Sequence, residues 1–393
     1  MPHHSPPEPL RVGVIGAGNW ARMFHCSMYA QHGRARVVAV HDHHHETARS
    51  FAREQSARFG SEIRVAQTID ELLDHCEAVS IVTPERFHAQ PTIAALQRGV
   101  HVLCEKPLTS TLDEAKRVAR DARDAQTRGV VARIDFTKRD NPAMRRAVRL
   151  AASGALGPLR HLAARYHQAW LASDVWGHWH APNWLWRLES EPDRPHAGGV
   201  LGDLGCHVID WSAATAGPIT SLKCSLHTFE KLRPGRPPSF THDGKDLRAN
   251  DTAIIEARFA SGAVGVLEMT RWATGRPNAE SLELFGAEGA LRWNNEPRGF
   301  LETCLADDRH APAWKRAPVP DQRAVIHTFA DDALVALGRA EPDPAERPDP
   351  DPAAPSLLEG ALVQAALDAC ERSARTGEWT DVLTTDELLA DPA

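Results

Sequence analysis

The stretch VGVIGAGNWARMFH, residues 12–25, decides how the first third of the chain folds. An apolar strand runs into Gly16-Ala17-Gly18, and a helix begins just after. Gly16 permits the tight turn, and Gly18 lets backbone N–H groups approach a pyrophosphate at the positive end of that helix. Asn19 and Trp20 complete the loop, and Ala21 is the small residue that close helix–strand packing accepts. A second mark follows. VVAVHD (37–42) ends on Asp42, 24 residues beyond Gly18, where a carboxylate can bind both adenosine ribose hydroxyls and repel a 2′-phosphate. A plain strand–turn–helix with an exposed aspartate is the competing reading, and the paired marks outweigh it. NAD is therefore the expected cofactor, with NADP as the alternative, because His43 tolerates a phosphate. His43, His44 and His45 read as a solvated helix start in preference to a metal cluster.

Working outward, short Val- and Ile-rich runs alternate with helical patterns from Leu10 to about Ala132. LRVGVIG, ARVVAVHD, AVSIVT, VHVLCEK and GVVARIDF are strand-like, and amphipathic stretches such as 45–59 and 111–127 separate them. That alternation argues a parallel sheet covered by helices on both faces. Residues 141–153 then read as one helix. After residue 217 the patterning changes to longer alternating runs, DTAIIEARFA, GAVGVLEMTRWA and ESLELFGAEGALRW, as in an antiparallel sheet. EPDPAERPDPDPAAPS (341–356) reads as a solvated loop, and a helix is expected from about Leu357 to Arg375.

At 393 residues, about two domains are expected. Net charge is −7 with no basic run, which argues against nucleic acid or an anionic membrane as partner. No apolar stretch approaches the roughly 20 residues needed to span a bilayer. The Pro- and His-rich start, residues 1–9, reads as a disordered leader without the apolar core of a signal peptide, and His3 and His4 alone make no metal site. Seven scattered cysteines with no CxxC pair fit reduced thiols in the cytoplasm, and they argue against zinc; no metal is expected.

Three further segments carry chemistry. In VHVLCEKPLTS (100–110) Lys106 follows directly on a buried strand, and on residue types alone this is an ordinary strand end closed by proline. In HAGGVLGDLGCHVIDW, Asp203 and His207 stand four residues apart, one turn apart on one helix face. A carboxylate there can orient an imidazole for acid–base work, although such a pair is more often a surface contact. YHQAWLASDVWGHWHAPNWLWR (166–187) holds five of the eleven tryptophans, interleaved with His178, His180, Asn183 and Arg187. A packed patch is the plain reading. Rings such as Trp176, Trp179 and Trp184 among hydrogen-bonding groups also suit a sugar or cyclitol, whose C–H faces stack while its hydroxyls are held.

In this order the pieces resemble the glucose-fructose oxidoreductase / inositol dehydrogenase (Gfo/Idh/MocA) family. GAGNWA, Asp42, TPERFHAQPTIAAL (83–96), CEKPLTSTLDEA (104–115), DNPAMRRAVRLAASGALGPLR (140–160) and GGVLGDLGCHVIDW (198–211) carry the resemblance. It implies an α/β fold: a Rossmann domain over 10–135 and, over 136–393, an α/β domain on a large open, mainly antiparallel sheet that binds substrate and mediates oligomerisation. It further implies that Thr83, Pro84, His88, Glu105 and Lys106 line the cofactor, and that the Lys106–Pro107 bond is often cis. Lys106 would polarise the reacting hydroxyl, His207 would act as general base, and Asp203 would orient His207 or hold a substrate hydroxyl. Arg139, Arg187 and the three tryptophans are the further substrate candidates. Lys138 and Asp140 beside Arg139 depart from the aromatic residues frequent in relatives, which leaves the substrate open.

The expected activity is an NAD-dependent dehydrogenase acting on a secondary alcohol of a sugar, sugar derivative or cyclitol. A glycosidase using NAD transiently needs the same groups and is the alternative. A non-catalytic sensor of the same fold fits less well with an intact Lys106, Asp203 and His207. A homo-oligomer, dimer or tetramer, is expected from family habit.

Overall fold

Apolar runs without alternation make strands buried on both faces, and the first part of the molecule is built from them. The structure, a computed structural model, describes residues 8–190, 199–233, 235–296, 299–305, 308, 310–319, 324–341 and 351–390. Most of the expected leader and residues 342–350 of the Pro/Asp-rich loop lie outside the described residues. In the first unit β1 (Leu10–Ile15), β2 (Ala35–His41), β3 (Arg64–Val65), β4 (Ala78–Ile81), β5 (His101–Cys104) and β6 (Ala132–Ile134) form one parallel sheet. Its order is β3-β2-β1-β4-β5-β6, the doubly wound arrangement. Helices α1 (Cys26–His32), α2 (His45–Phe59), α3 (Ile69–His75), α4 (Ala89–Gln97) and α5 (Leu112–Gln126) make the crossovers. α2 begins and ends on the residues expected, and α5 agrees to within one at each end. β3 escaped the sequence reading because two residues carry no periodicity.

This unit holds the chain up to Thr109 and Asp113–Asp140, and it also reclaims a later segment that ends at Ala361. The sequence reading assigned that segment to the second domain. Its helix lays Ile326, Phe329, Ala330, Ala333 and Leu334 into the same core as Leu10, Val12, Tyr29 and Phe51. An amphipathic pattern shows that a helix must be covered, but not by which sheet.

The second unit begins with α6 (Pro142–Ala152), capped by Asn141, whose Oδ1 accepts the Ala143 amide at 2.9 Å. β7 (Leu159–Gln168) follows, then α7 (Pro182–Leu185), a π-type turn Leu201–Gly205 and α8 (Cys206–Ala216). Next come β8 (Ile219–His227), the small pairs β9 (Lys231–Arg233) with β10 (Arg236–Ser239) and β11 (Thr241–His242) with β12 (Lys245–Asp246), then β13 (Thr252–Phe259) and β14 (Val264–Thr270). β15 (Asn278–Gly286), β16 (Gly289–Asn294), β17 (Phe300–Leu305) and β18 (Lys315–Arg316) continue the sheet. The segment returned to the first unit holds α9 (Val325–Ala336) and the first turn of α10 (Leu357–Thr376); the rest of α10, β19 (Thr380–Asp381) and α11 (Thr385–Leu389) belong to the second. The large sheet is open, in the order β18-β17-β16-β15-β7-β14-β13-β8-β19, with the β7–β14 pair parallel and the rest antiparallel. β13 alternates as expected: Ala253, Ile255, Ala257 and Phe259 are buried and Ile254 is exposed.

In the first unit Glu77, just before β4, receives both Arg339 Nη atoms at 3.0 and 2.7 Å and the Arg11 amide at 3.1 Å. Burial opposes its ionisation, but Arg339 and Arg11 prevail and hold the carboxyl down at about 2. A depressed carboxyl stabilises the fold above its unfolded value, and that contribution fades as pH falls toward 2. Glu77→Gln is expected to lower unfolding stability at pH 7 by about 2 kcal/mol. In urea titrations the gap to wild type should narrow as pH is lowered from about 5 toward 3.

Candidate active site

Strands of a doubly wound sheet deliver their following loops to one edge, and a ligand crevice opens where the strand order reverses. That reversal falls between β1 and β4, and the loops carrying Gly16–Ala21, Asp42, Thr83–Pro84 and Glu105–Lys106 all leave the carboxyl ends of their strands. Gly16 has φ +97°, and a Cβ there would stand 2.7 Å from the Val82 carbonyl oxygen. Gly18 differs: a Cβ on it would meet nothing within 4 Å, which leaves the room a pyrophosphate needs beside the backbone. Asp42 Oδ2 accepts the Ala17 amide and Oδ1 the His44 amide, both at 2.8 Å. The carboxylate therefore joins the glycine loop to the start of α2, beside an exposed His43. Arg22, which the sequence reading passed over, braces the loop from the helix side, donating to the Ala17 carbonyl at 3.1 Å and to Glu54 at 2.5 Å.

Ala21 is fully buried and opens a π-type turn, Ala21–His25, that leads into α1. The Trp20 ring is 49% exposed and stacks on Phe24 at 4.7 Å, while its N–H donates to Glu105 Oε1 at 2.5 Å. Glu105 Oε2 accepts the Lys106 amide at 3.1 Å, and Lys106–Pro107 is a cis peptide. His88 was expected at the cofactor. It is buried, with Nε2 2.8 Å from the Thr83 carbonyl oxygen and Nδ1 2.9 Å from that of Pro107. Two acceptors require two N–H donors, so the ring is an imidazolium that ties the Thr83–Pro84 loop to the Lys106–Pro107 loop. Burial disfavours that charge, but Cys104, the Thr83 carbonyl and Glu105 raise its pKa to about 9. Arg139 has a similar fate. Its side chain is almost wholly buried in the first unit and donates to Glu359 at 3.1 Å and to the Pro352 carbonyl at 3.3 Å, which replaces the expected substrate contact with a packing role.

In the second unit Asp203 lies in the π-type turn and His207 is the second residue of α8. The expected regular helix is thus widened at Asp203. His207 is 4% exposed, with its ring 6.4 Å from that of Tyr166. Asp203 Oδ2 accepts from Arg271 Nη2 at 3.0 Å and lies 3.7 Å from Arg187 Nε. Arg271, also missed in the sequence, is fully buried just beyond β14 and donates to the carbonyls of Arg187 at 3.0 Å and Gly199 at 2.9 Å. Its one sequence signal is a charge closing an alternating strand. Among the tryptophans, Trp179 is 7% exposed and gives its N–H to the Leu232 carbonyl at 2.9 Å. It packs with Trp170, Leu171, Leu185, Leu188 and Leu247, so its ring is core, contrary to the sugar-stacking expectation. Trp176 and Trp184 are partly buried and stacked at 6.0 Å, and Arg187 lies over the rings of Trp184 and Trp186 at 4.9 and 4.2 Å.

Two family models match the chain: an oxidoreductase family with an NAD-binding Rossmann fold over residues 10–133, and the Gfo/Idh/MocA C-terminal domain over 144–292. The chain belongs to the Gfo/Idh/MocA family. Levoglucosan dehydrogenase of Pseudarthrobacter phenanthrenivorans is 29% identical over 95% of this chain and 98% of its own length. D-glucoside 3-dehydrogenase of Escherichia coli is 30% identical over 57% of this chain and 59% of its own. A solved levoglucosan dehydrogenase in complex with NADH and levoglucosan superposes with a TM-score of 0.75 at 28% identity, over 96% of this chain and all of that one. In this Gfo/Idh/MocA member the glycine loop, the open Gly18 and the carboxylate at the end of β2 fit NAD.

The imidazolium at His88 predicts an alkaline weakness. A group raised in the fold stabilises fully below its unfolded value, near 6.5, and loses that contribution as pH rises through about 9. His88→Leu is therefore expected to be less stable than wild type at pH 7, with the gap shrinking by pH 9.5. Nitrogen NMR on labelled histidine should show both His88 ring nitrogens protonated at pH 8.

Proposed function

We propose that the protein is an NAD-dependent dehydrogenase that oxidises a secondary alcohol on a sugar ring. The observation that carries this is the convergence of Gly16–Gly18, Asp42, Thr83 and Lys106 on the carboxyl edge of the sheet at its switch point. Relatives named for levoglucosan and for oxidation at position 3 of glucosides support a pyranose substrate and make the 3-hydroxyl the first to assay. Asp42 would bind the adenosine ribose and set the preference for NAD over NADP.

When bound, NAD supplies the hydride acceptor. Lys106, as an ammonium, would favour negative charge developing on the carbinol oxygen. His207, when neutral, would take the carbinol proton; it is buried, with the Tyr166 ring 6.4 Å from its own. Asp203 is held by the buried Arg271, so it would present a fixed carboxylate toward a sugar hydroxyl or His207. Arg187, braced on Trp184 and Trp186, would hold a further hydroxyl.

The direct test is a panel of free sugars, anhydrosugars, glycosides and cyclitols, read at the NADH absorbance with NAD and with NADP. Stoichiometric NADH from a sugar or glycoside is expected; glycosidic cleavage without net NADH would overturn the reading in favour of a glycosidase. Lys106→Met should lower kcat about 100- to 10,000-fold while NAD binding persists. His207→Asn should lose a comparable factor and flatten the fall in rate at acid pH, because the proton acceptor is gone. Asp42→Ala should raise KM for NAD about tenfold and relax discrimination against NADP, as removal of one charged hydrogen-bond partner implies. An unchanged cofactor ratio would place the ribose contact elsewhere.

A further inference from the structure

Three titratable side chains meet inside the first unit: His25 at the end of the π-type turn, Glu105 after β5 and Asp135 after β6. Their nitrogen and oxygen atoms of ligand type all lie within 4.8 Å of one another, and all three residues are buried. Glu105 is well supplied. Its Oε1 receives the Trp20 N–H and faces His25 Nε2 at 3.0 Å, while Oε2 receives the Lys106 amide. Asp135 is not supplied. It is 0% exposed, and neither carboxyl oxygen has an N–H or O–H partner. His25 Nε2 stands 3.5 Å from its Oδ2, farther than from Glu105.

The ionisable groups that face Asp135 are Glu105 and Cys104 at the end of β5, Asp140 in the turn after β6, Tyr29 on α1 and His25. All but His25 are neutral or negative. An ionised Asp135 would be a buried carboxylate without donors, within hydrogen-bonding reach of a second carboxylate. One proton removes the conflict, because a carboxylic acid can donate where a carboxylate can only accept.

We propose that Asp135 is a neutral carboxylic acid at physiological pH and donates its proton in a hydrogen bond to Glu105, which makes it a positioning residue for the Glu105–Lys106 segment. Burial and the adjacent Glu105 drive Asp135 toward its protonated form, whereas His25, Lys106 and Trp20 keep Glu105 ionised against its own burial. A metal ion is the other occupant that such a trio invites, and the hydrogen bonding disfavours it. Glu105 Oε1 already faces two nitrogen donors, which a cation would have to displace. Since Glu105 also accepts the Lys106 amide, the tilt of its carboxylate sets the backbone that presents Lys106. This step rests on the dehydrogenase reading; the protonation itself does not.

Difference infrared spectroscopy on the full-length protein at pH 7, wild type against Asp135→Asn, tests the proton without any substrate. The carbonyl stretch of a protonated carboxyl, shifted in D2O, should be present in wild type and missing in the variant. Its absence from wild type, or a stoichiometric metal in the purified protein that Asp135→Asn loses, would overturn the proposal. Kinetics test the positioning. Asp135→Leu should lower kcat about 100-fold with KM for NAD little changed, as misplacement of a catalytic group by about 1 Å does. Asp135→Asn, whose amide can still donate to Glu105, should recover most of that loss. Equal losses in both variants, or none in Asp135→Leu, would remove the positioning role even with the infrared band present. If Asp135→Leu does not fold, the Asn variant and the infrared band decide.

Discussion

A single left-handed residue under a carbonyl governs the cofactor end of this protein. Gly16 turns the chain where any Cβ would strike the backbone of Val82 and Thr83. Around that turn the Gly16 amide reaches the His41 carbonyl and the Val82 amide reaches that of Ile15, both at 2.8 Å. β1 is thereby held between β2 and β4 up to its last residue, and Asp42 arrives within reach of the Ala17 amide. The crevice at the strand reversal, and every loop that enters it, follows from this close approach.

Buried polar groups extend that control. A charge inside a protein persists only with partners, so each one fixes the backbone it bonds. His88 joins the loops after β4 and β5, and Glu105 joins the glycine-loop helix to Lys106. In the second unit Arg271 fastens Arg187, Gly199 and Asp203, and Lys231 is paired with Asp251 at 2.7 Å beside it in the fold. These residues need touch no substrate, yet they set where the candidate catalytic groups stand. Truncating one partner leaves the other buried and uncompensated, a larger penalty than the pair's net worth.

The tryptophan-rich segment shows the two uses of an aromatic ring together. Trp170 and Trp179 have their N–H groups satisfied inside a satellite core, while Trp186 stays half exposed with Arg187 over its face. Rings alone do not separate these roles, because a buried indole and a stacking one differ only in what covers them.

By itself the sequence determined the parallel α/β unit, its glycine loop and Asp42, because period-two and period-3.6 patterns and left-handed glycines are local properties of the chain. It also determined the alternating strands after residue 217. Tertiary structure alone decided which sheet covers α9, since an apolar helix face does not name its partner. Tertiary structure also turned His88 and Arg139 inward, recruited Arg271 to Asp203 and brought His25, Glu105 and Asp135 together from positions up to 110 residues apart. Those partnerships are long-range. A side chain's burial and its hydrogen-bond partners are set by packing between distant segments, and no local pattern encodes them.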